Sequence, residues 1–466
     1  MIARRMKHVY TLAFAAATLA SAATVAPAQD APARVPFQLR AEDTVPRRSA
    51  FEQGRREATT TEFEVDGVRV ILRHNPANDV VAANLYLLGG TRQLTPATQG
   101  IEAFLLAASD RGTRRYSRDE LRRALARTGG TITIDPEKDW TVVGMRSIRS
   151  TLDSVWNVMA DRVMAPRLDQ ADVELVRTQL VNAAQQRLAS PDAQLTHLAD
   201  SVRFAGHPYA LLPEGTPTSL AALTLADLQR YQKEQTVKSR MLLVVVGNVT
   251  RPEVERLVRR TLGTLPQGSY RWSAPEPPAA HGGAMVVQRS LPTNYILGYF
   301  VGPPATSPDY PAMRVASAVL SGTLFSEIRG RHKLTYAVDA PFIERAFATG
   351  GVYVTTVAPD TTLSLMRGEL QLMRNELLAP GPLQRLIQRF ITDYFLRNET
   401  NADQANFLAR AALYQGDHRA ADRFVDDLRQ VTPEDIQRVA RQYMRDFQFV
   451  YVGDPSRVNV RRMETF

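Results

Sequence analysis

Gly100-Ile-Glu-Ala-Phe-Leu-Leu-Ala-Ala-Ser-Asp-Arg-Gly-Thr113 is the stretch that decides how this chain is read. A glycine opens it, a Gly-Thr pair closes it, and an apolar helical run lies between. On a helix, residues i and i+4 share one face, so two histidines at that spacing can grip one metal ion. Here Ala103 and Ala107 hold that spacing, with Leu106 between them. None of the three offers a lone pair to a metal or a group that titrates. The seven histidines are His8, His74, His197, His207, His281, His332 and His418, and no two lie within five residues. His197 and Asp200 sit at i, i+3, which as spacing alone reads as a solvated helix face. There is no cysteine, so thiolate metal sites, thiol nucleophiles and disulfides are excluded.

The frame around those alanines resembles the zinc-binding helix of the insulinase/pitrilysin-like (inverzincin) metallopeptidases. That family carries His-x-x-Glu-His inside a Gly-Leu-x-His-Phe-Leu-Glu-His…Gly-Thr frame. This chain keeps Gly100, Phe104, Leu105, Gly112 and Thr113. Ala103, Leu106 and Ala107 stand where the family has His, Glu and His. In such sites the glutamate deprotonates a metal-bound water. The family's third ligand is a glutamate on a later helix. Its spacing, carried on from Ala107, lands on Ala183, within a helix expected over Val173–Ser190 that closes in Ala189-Ser-Pro-Asp192. The resemblance therefore implies a degenerate zinc site at Ala103, Leu106, Ala107 and Ala183, with no metal in this chain.

A second motif points to what chemistry remains. Leu324-Phe-Ser-Glu-Ile-Arg329 and Leu334-Thr-Tyr336-Ala-Val338 are similar to the family's Leu-Phe-x-Glu-Ile-Arg…Leu-x-Tyr-Ser-Val. There an arginine and a tyrosine seven residues apart reach the substrate carbonyl beside the zinc. Arg329 and Tyr336 match that spacing. A cation and a phenol donor at that place stabilise the oxyanion that grows during peptide-bond attack. Two departures stand out. Lys333 replaces a usual glycine, and Ser321-Gly-Thr323 replaces a longer Gly/Ser-rich connection. His332 takes a usually basic position. His207-Pro-Tyr209 with Gly215-Thr216, and Pro303–Pro311, extend the resemblance over nearly all of the chain after its leader. From the residues alone, His207 reads as a turn histidine before Pro208.

The organisation reads as one module used twice. Thr61–Arg73 alternates as a strand, and Val80–Gly89 is a second strand closed by Gly89-Gly90. Ser117-Arg-Asp-Glu120 is a capping box for a helix through Ala126, stopped at Gly129-Gly130. Thr131–Asp135 and Asp139–Ile148 follow as strands. Thr224-Leu-Ala-Asp227 caps a helix to about Glu234, before a strand Met241–Val246 and Gly247. Thr432-Pro-Glu-Asp435 caps a helix to about Met444, before a strand Phe447–Val452 and Gly453. The caps lie 208 residues apart and the glycines 206, which argues for duplication. A Pro/Gly-rich linker, 265–283, separates an N-terminal domain, 58–264, from a C-terminal one, 284–466. The resemblance implies an α+β fold. Each half is then an antiparallel sheet with helices packed on one face, and the halves face each other across a chamber.

The 466 residues are 44% apolar and 23% charged, which is ordinary for a globular protein. The formal charge of +9 falls to +6 without Arg4, Arg5 and Lys7 of the leader. No aromatic-basic motif or dense basic run suggests nucleic acid. Met1–Ala28 reads as a secretory signal: a basic Arg4–Lys7, an apolar Val9–Val25 and Ala26-Pro27-Ala28 for cleavage. A polar, Pro/Arg-rich arm, 29–57, follows. No later stretch is apolar enough to span a bilayer. Periplasmic export is the expectation. Some bacterial and mitochondrial relatives divide the work between two homologous chains, one with the zinc motif and one with the Arg/Tyr pair. The resemblance implies the second type here. It implies a heterodimer with an active homologue that holds the zinc, acting on peptides or unfolded segments. The alternative is a structural or peptide-binding protein of the same fold with no role in proteolysis.

Overall fold

The computed structural model describes residues 59–279 and 281–466. The expected signal, Met1–Ala28, and arm, 29–57, lie outside the described residues. Among the described residues no helix is long and apolar enough to cross a membrane.

The N half opens with a hairpin of β1 (Thr59–Val65) and β2 (Val68–His74). The single strand expected over Thr61–Arg73 is thus broken in two. Asp66 and Gly67 both take positive φ, 48° and 87°, the geometry of the tight turns that match strand twist. β3 (Val80–Leu88), β4 (Thr131–Pro136), β5 (Trp140–Ile148) and β6 (Met241–Gly247) complete a sheet ordered β1-β2-β6-β3-β5-β4. Its helices are α1 (Ile101–Ala108), α2 (Arg118–Thr128), α3 (Leu152–Met164), α4 (Gln170–Ala189), α5 (Pro191–Arg203), α6 (Pro217–Ala222), α7 (Leu225–Gln235) and α8 (Arg251–Arg260). Capping boxes at Ser117 and Thr224 start α2 and α7 where the sequence places them. Gly129 ends α2 in the left-handed region.

The C half repeats this plan. β7 (Gly283–Gln288), β8 (Asn294–Pro304), β9 (Val338–Asp339), β10 (Phe342–Ile343), β11 (Phe347–Thr356) and β12 (Gln448–Gly453) form a sheet ordered β10-β11-β8-β12-β7, with β9 also on β11. In both sheets the strand after the late capped helix, β6 or β12, lies between an early hairpin-side strand and its successor. It runs parallel to β2 or β7 and antiparallel to β3 or β8. This shared order is what duplication of one module produces. The helices are α9 (Asp309–Leu324), α10 (Pro359–Asn375), α11 (Pro380–Arg397), α12 (Asn401–Tyr414), α13 (Ala420–Arg429), α14 (Pro433–Tyr443) and α15 (Arg461–Glu464).

The two α+β halves agree with the expected fold class. Each sheet also holds one parallel pair, and both faces of the N sheet are covered. On one face Val81, Ala83 and Leu85 pack with Trp156 and Met159 of α3 and Leu257 of α8. On the other, Tyr86, Trp140, Val142 and Val244 share a core with Ala405, Ala409 and Ala412 of α12. That helix belongs to the other half. In return, α5 of the N half lies on β8 and β12 of the C sheet, through Leu195, Ala199, Leu297 and Val450. A strand facing two layers must be apolar on both sides, which is why Met241-Leu-Leu-Val-Val-Val246 is a continuous apolar run. Each such buried side chain contributes about 1.5–3 kcal/mol.

Polar bonds key the exchanged helices into place. On α12, Asn406 bonds Asn84 and Tyr86, Arg410 forks onto Glu137, and Tyr414 donates to Asp139. On α5, Asp200 accepts a fork from Arg345, and Asp192 accepts from Tyr353. The stretch 265–279 has no regular structure, yet it is strapped down. Trp272 donates to the Leu413 carbonyl and packs by Trp140. Tyr270 accepts from Arg92.

Candidate functional site

The frame residues of the zinc-like stretch turn out to be folding residues. Gly100 caps α1 at φ 84°. A Cβ there would stand 2.7 Å from the Gly215 Cα, and one on Gly215 would stand 3.0 Å from the Gly100 Cα. Both glycines of the resemblance therefore serve one backbone-to-backbone approach. Phe104 and Leu105 are buried with Val173 and Val176 of α4. Thr113 is buried and donates to Asp161 at 2.5 Å. These groups hold α1 against α4 and α3 whether or not a metal is ever bound.

Ala103, Leu106 and Ala107 all lie on α1, and Ala183 lies on α4, which packs against α1. Ala103 and Leu106 are buried, Ala107 is half-buried and Ala183 is exposed. Leu106 is a core residue, packed with the sheet face that carries Val143 and Met145. Methyl and isobutyl groups do not fit a zinc ion. The acid nearest in sequence, Glu102, is committed elsewhere. Its Oε2 accepts from Arg240 and from the Tyr231 hydroxyl, each at 2.9 Å. Burial alone would lower the Arg240 pKa, but Glu102 and Tyr231 outweigh it and hold the guanidinium charged. Among the described residues no three His, Cys, Asp or Glu side chains cluster as metal ligands do. This buried Glu102–Arg240–Tyr231 trio was not foreseen. An acid inside an apolar helical run was its one sequence signal.

Arg329 and Tyr336 lie together at the other motif. Leu324 and Ile328 anchor the segment in the C-half core. Phe325–Arg331 winds as a wide, π-type helical turn, a form that recurs at functional sites. Arg329 Nη1 donates to the Tyr336 carbonyl at 3.0 Å, and its guanidinium lies 5.0 Å from the Phe325 ring centre. Glu327 does not pair with Arg329; it takes Arg331 at 2.7 Å and His332 at 3.1 Å. Lys333 adopts φ 54°, so the left-handed turn a glycine would favour persists with a lysine in its place. Tyr336 is 90% exposed, and Phe325 is 48% exposed beside it. No hydrogen bond or ion pair links Arg329 or Tyr336 to α1 or α4 among the described residues.

His207 behaves as a turn residue: its Nδ1 accepts from the Tyr209 amide at 3.2 Å. Tyr209 is buried and donates to Asp139 at 2.6 Å. One further feature was not read from the sequence. β4 is an edge strand, pairing only with β5 among the described residues, and α1 packs beside it. Its unpaired backbone side can accept an extended peptide as an added strand.

Comparison with known proteins now has a geometry to meet. Residues 69–209 match the family model described as insulinase (peptidase family M16). Residues 222–390 match the model described as peptidase M16 inactive domain. The mitochondrial-processing peptidase subunit beta of Blastocladiella emersonii is 25% identical over 414 residues, covering 83% of this chain and 87% of its own. The crystal structure of a protease from Helicobacter pylori superposes with a TM-score of 0.78 at 17% identity, over 85% of this chain and 99% of that one. A peptidase M16 inactive domain from Pseudomonas fluorescens gives 0.76 at 18% identity, over 85% and 98%. The two structures carry the likeness of fold alone. With two models of one family matched in order over residues 69–209 and 222–390, the chain belongs to the insulinase family of peptidases, family M16.

Proposed function

We propose that this chain is the non-catalytic subunit of an exported peptidase pair. A homologous chain with an intact metal motif carries the hydrolysis. This chain presents Arg329 and Tyr336 to a chamber that the two share. The observation that carries the reading is the exposure of Tyr336, with Arg329 tied to its backbone. A large phenol left 90% exposed stabilises nothing in its own fold. With the Arg329 guanidinium bonded to its backbone carbonyl, it offers a second donor suited to a developing oxyanion. The four ligand positions, Ala103, Leu106, Ala107 and Ala183, supply no donor, so hydrolysis by this chain alone is not expected. Zinc belongs to the partner in this reading. The likeness to a peptidase subunit named beta supports assembly with a second chain. The basic-apolar-small pattern of Met1–Ala28 supports export to the periplasm.

The substrates are peptides or unfolded segments, which suits the open edge of β4 beside α1. The same edge favours a second reading, peptide binding with no part in cleavage. Mixing the chain with a homologue that carries an intact zinc motif, and following a fluorogenic peptide, separates the two. Activity that rises on mixing, and falls with Arg329→Ala plus Tyr336→Phe, supports the subunit reading. Activity indifferent to both defeats it.

A further inference from the structure

The outer helical layer of the N half carries charge that its own fold does not use. α2, α3 and α8 lie side by side on the sheet face turned away from α12. These helices, with the Arg114–Ser117 segment before α2, hold eleven arginines against six acids. Residues 59–466 together hold 48 lysines and arginines against 43 acids. The surplus is five in both cases, so the rest of the described chain is balanced and its net charge sits in this layer.

Most of the surplus is on α2. In the sequence its arginines are interrupted by Asp119, Glu120, Leu121 and Leu125. In the fold Leu121 and Leu125 turn inward, and Glu120 turns back to take the Ser117 amide and hydroxyl, each at 2.7 Å. Arg114, Arg115, Arg118, Arg122, Arg123 and Arg127 are all exposed. Among the described residues the one ion pair any of them makes is Arg115 with Asp161, at 3.6 Å. Asp119 is the one acid left to oppose them along the helix. The acids on α3 and α8 are shared out in the same way. Asp153 answers Arg256 at 2.8 Å and Arg260 at 3.9 Å, and Glu255 answers Arg251 at 2.7 Å and Arg259 at 2.9 Å.

This arrangement works against α2. Arg118 with Arg122 and Arg123 with Arg127 are like charges at i, i+4, and Arg118 stands at the positive end of the helix dipole. A pattern that weakens its own helix points to a use outside the fold. Among the described residues no large apolar side chain is exposed in the layer. It therefore lacks the aromatic platform on which nucleic-acid bases stack and the anchor residues of a protein interface. A membrane surface asks only for cations within about a Debye length of its headgroups.

We propose that the α2–α3–α8 face docks the chain on an anionic phospholipid bilayer, with the arginines of α2 against the phosphates. The joint between the halves, on the other face of the sheet, stays clear of the membrane. The docking does not rest on the peptidase reading or on pairing with another subunit.

The test is sedimentation of the chain after leader removal, residues 29–466, with phosphatidylcholine vesicles that do or do not contain phosphatidylglycerol. The chain binds the anionic vesicles and not the neutral ones, and about 0.5 M salt releases it. Arg118→Gln with Arg122→Gln weakens binding about tenfold, and adding Arg123→Gln and Arg127→Gln weakens it about tenfold again. Arg385→Gln with Arg389→Gln removes the same charge from exposed positions of α11 and leaves binding unchanged. The α2 variants melt no lower than the parent chain, since glutamine keeps the helix and relieves its repulsion. Equal binding to neutral vesicles overturns the proposal. So do equal losses from the α2 and α11 variants, or binding to polyglutamate or DNA but not to anionic vesicles.

Discussion

Arg329 holds the backbone carbonyl of Tyr336 at 3.0 Å, so one hydrogen bond across a seven-residue spacing ties the cation to the backbone that carries the exposed phenol. The bond fixes the loop from within the same motif. It asks nothing of the rest of the protein, because Leu324 and Ile328 already anchor the turn. Arg329→Ala and Tyr336→Phe are therefore expected to change stability by no more than about 0.5 kcal/mol. In the assembled pair, each is expected to lower peptide turnover by about 10²–10³. Urea unfolding and turnover of the mixture measure the two effects separately.

Glu102 presents the opposite case. Its carboxylate and the Arg240 guanidinium are both buried, 2.9 Å apart. Removing one partner strands the other charge, so Glu102→Ala is expected to cost about 3–5 kcal/mol. Replacing both with apolar residues of similar volume is expected to recover most of that loss. Denaturant midpoints of the single and double variants check it.

Leu106 fills the place of a catalytic acid with core packing. Leu106→Glu should cost at least about 2 kcal/mol. Glutamate at Ala183, which is exposed, should be tolerated within about 0.5 kcal/mol. Thermal unfolding of the two variants distinguishes the positions. Equal losses would mean that α1 is not seated as described.

Asp200 links acid stability to the joint between halves. Burial pushes its carboxyl upward, but Arg345 and Lys138 outweigh burial and hold it below the usual carboxylate range. The unfolded value is about 3.9. Its contribution is therefore complete above that value and is lost as pH falls through the lower folded one. Asp200→Asn is expected to cost about 3–5 kcal/mol near pH 7, because two buried cations lose their acid. The gap from the parent chain should narrow as pH drops below about 4. Urea unfolding at several pH values tests the sign.

Much of each half is legible locally. Ser117, Thr224 and Thr432 cap their helices through side chains three residues away, and the capping boxes form as written. The hairpin turn at Asp66-Gly67 was missed because strand-like sequence runs up to it on both sides. The exchange of α5 and α12 was not legible. Its bonds, such as Asn84 with Asn406 and Asp139 with Tyr414, join residues hundreds of positions apart. The same holds for Glu102, whose partners come from other elements. At the candidate site, the motif located Arg329 and Tyr336, but their exposure follows from how Leu324 and Ile328 anchor the turn.

The most direct measurement of the central claim is peptide hydrolysis by the purified chain, supplied with zinc, alone and then with its homologous partner. No cleavage alone, and cleavage with the partner that depends on Arg329 and Tyr336, is the expected result. Cleavage by the zinc-supplied chain alone would contradict it.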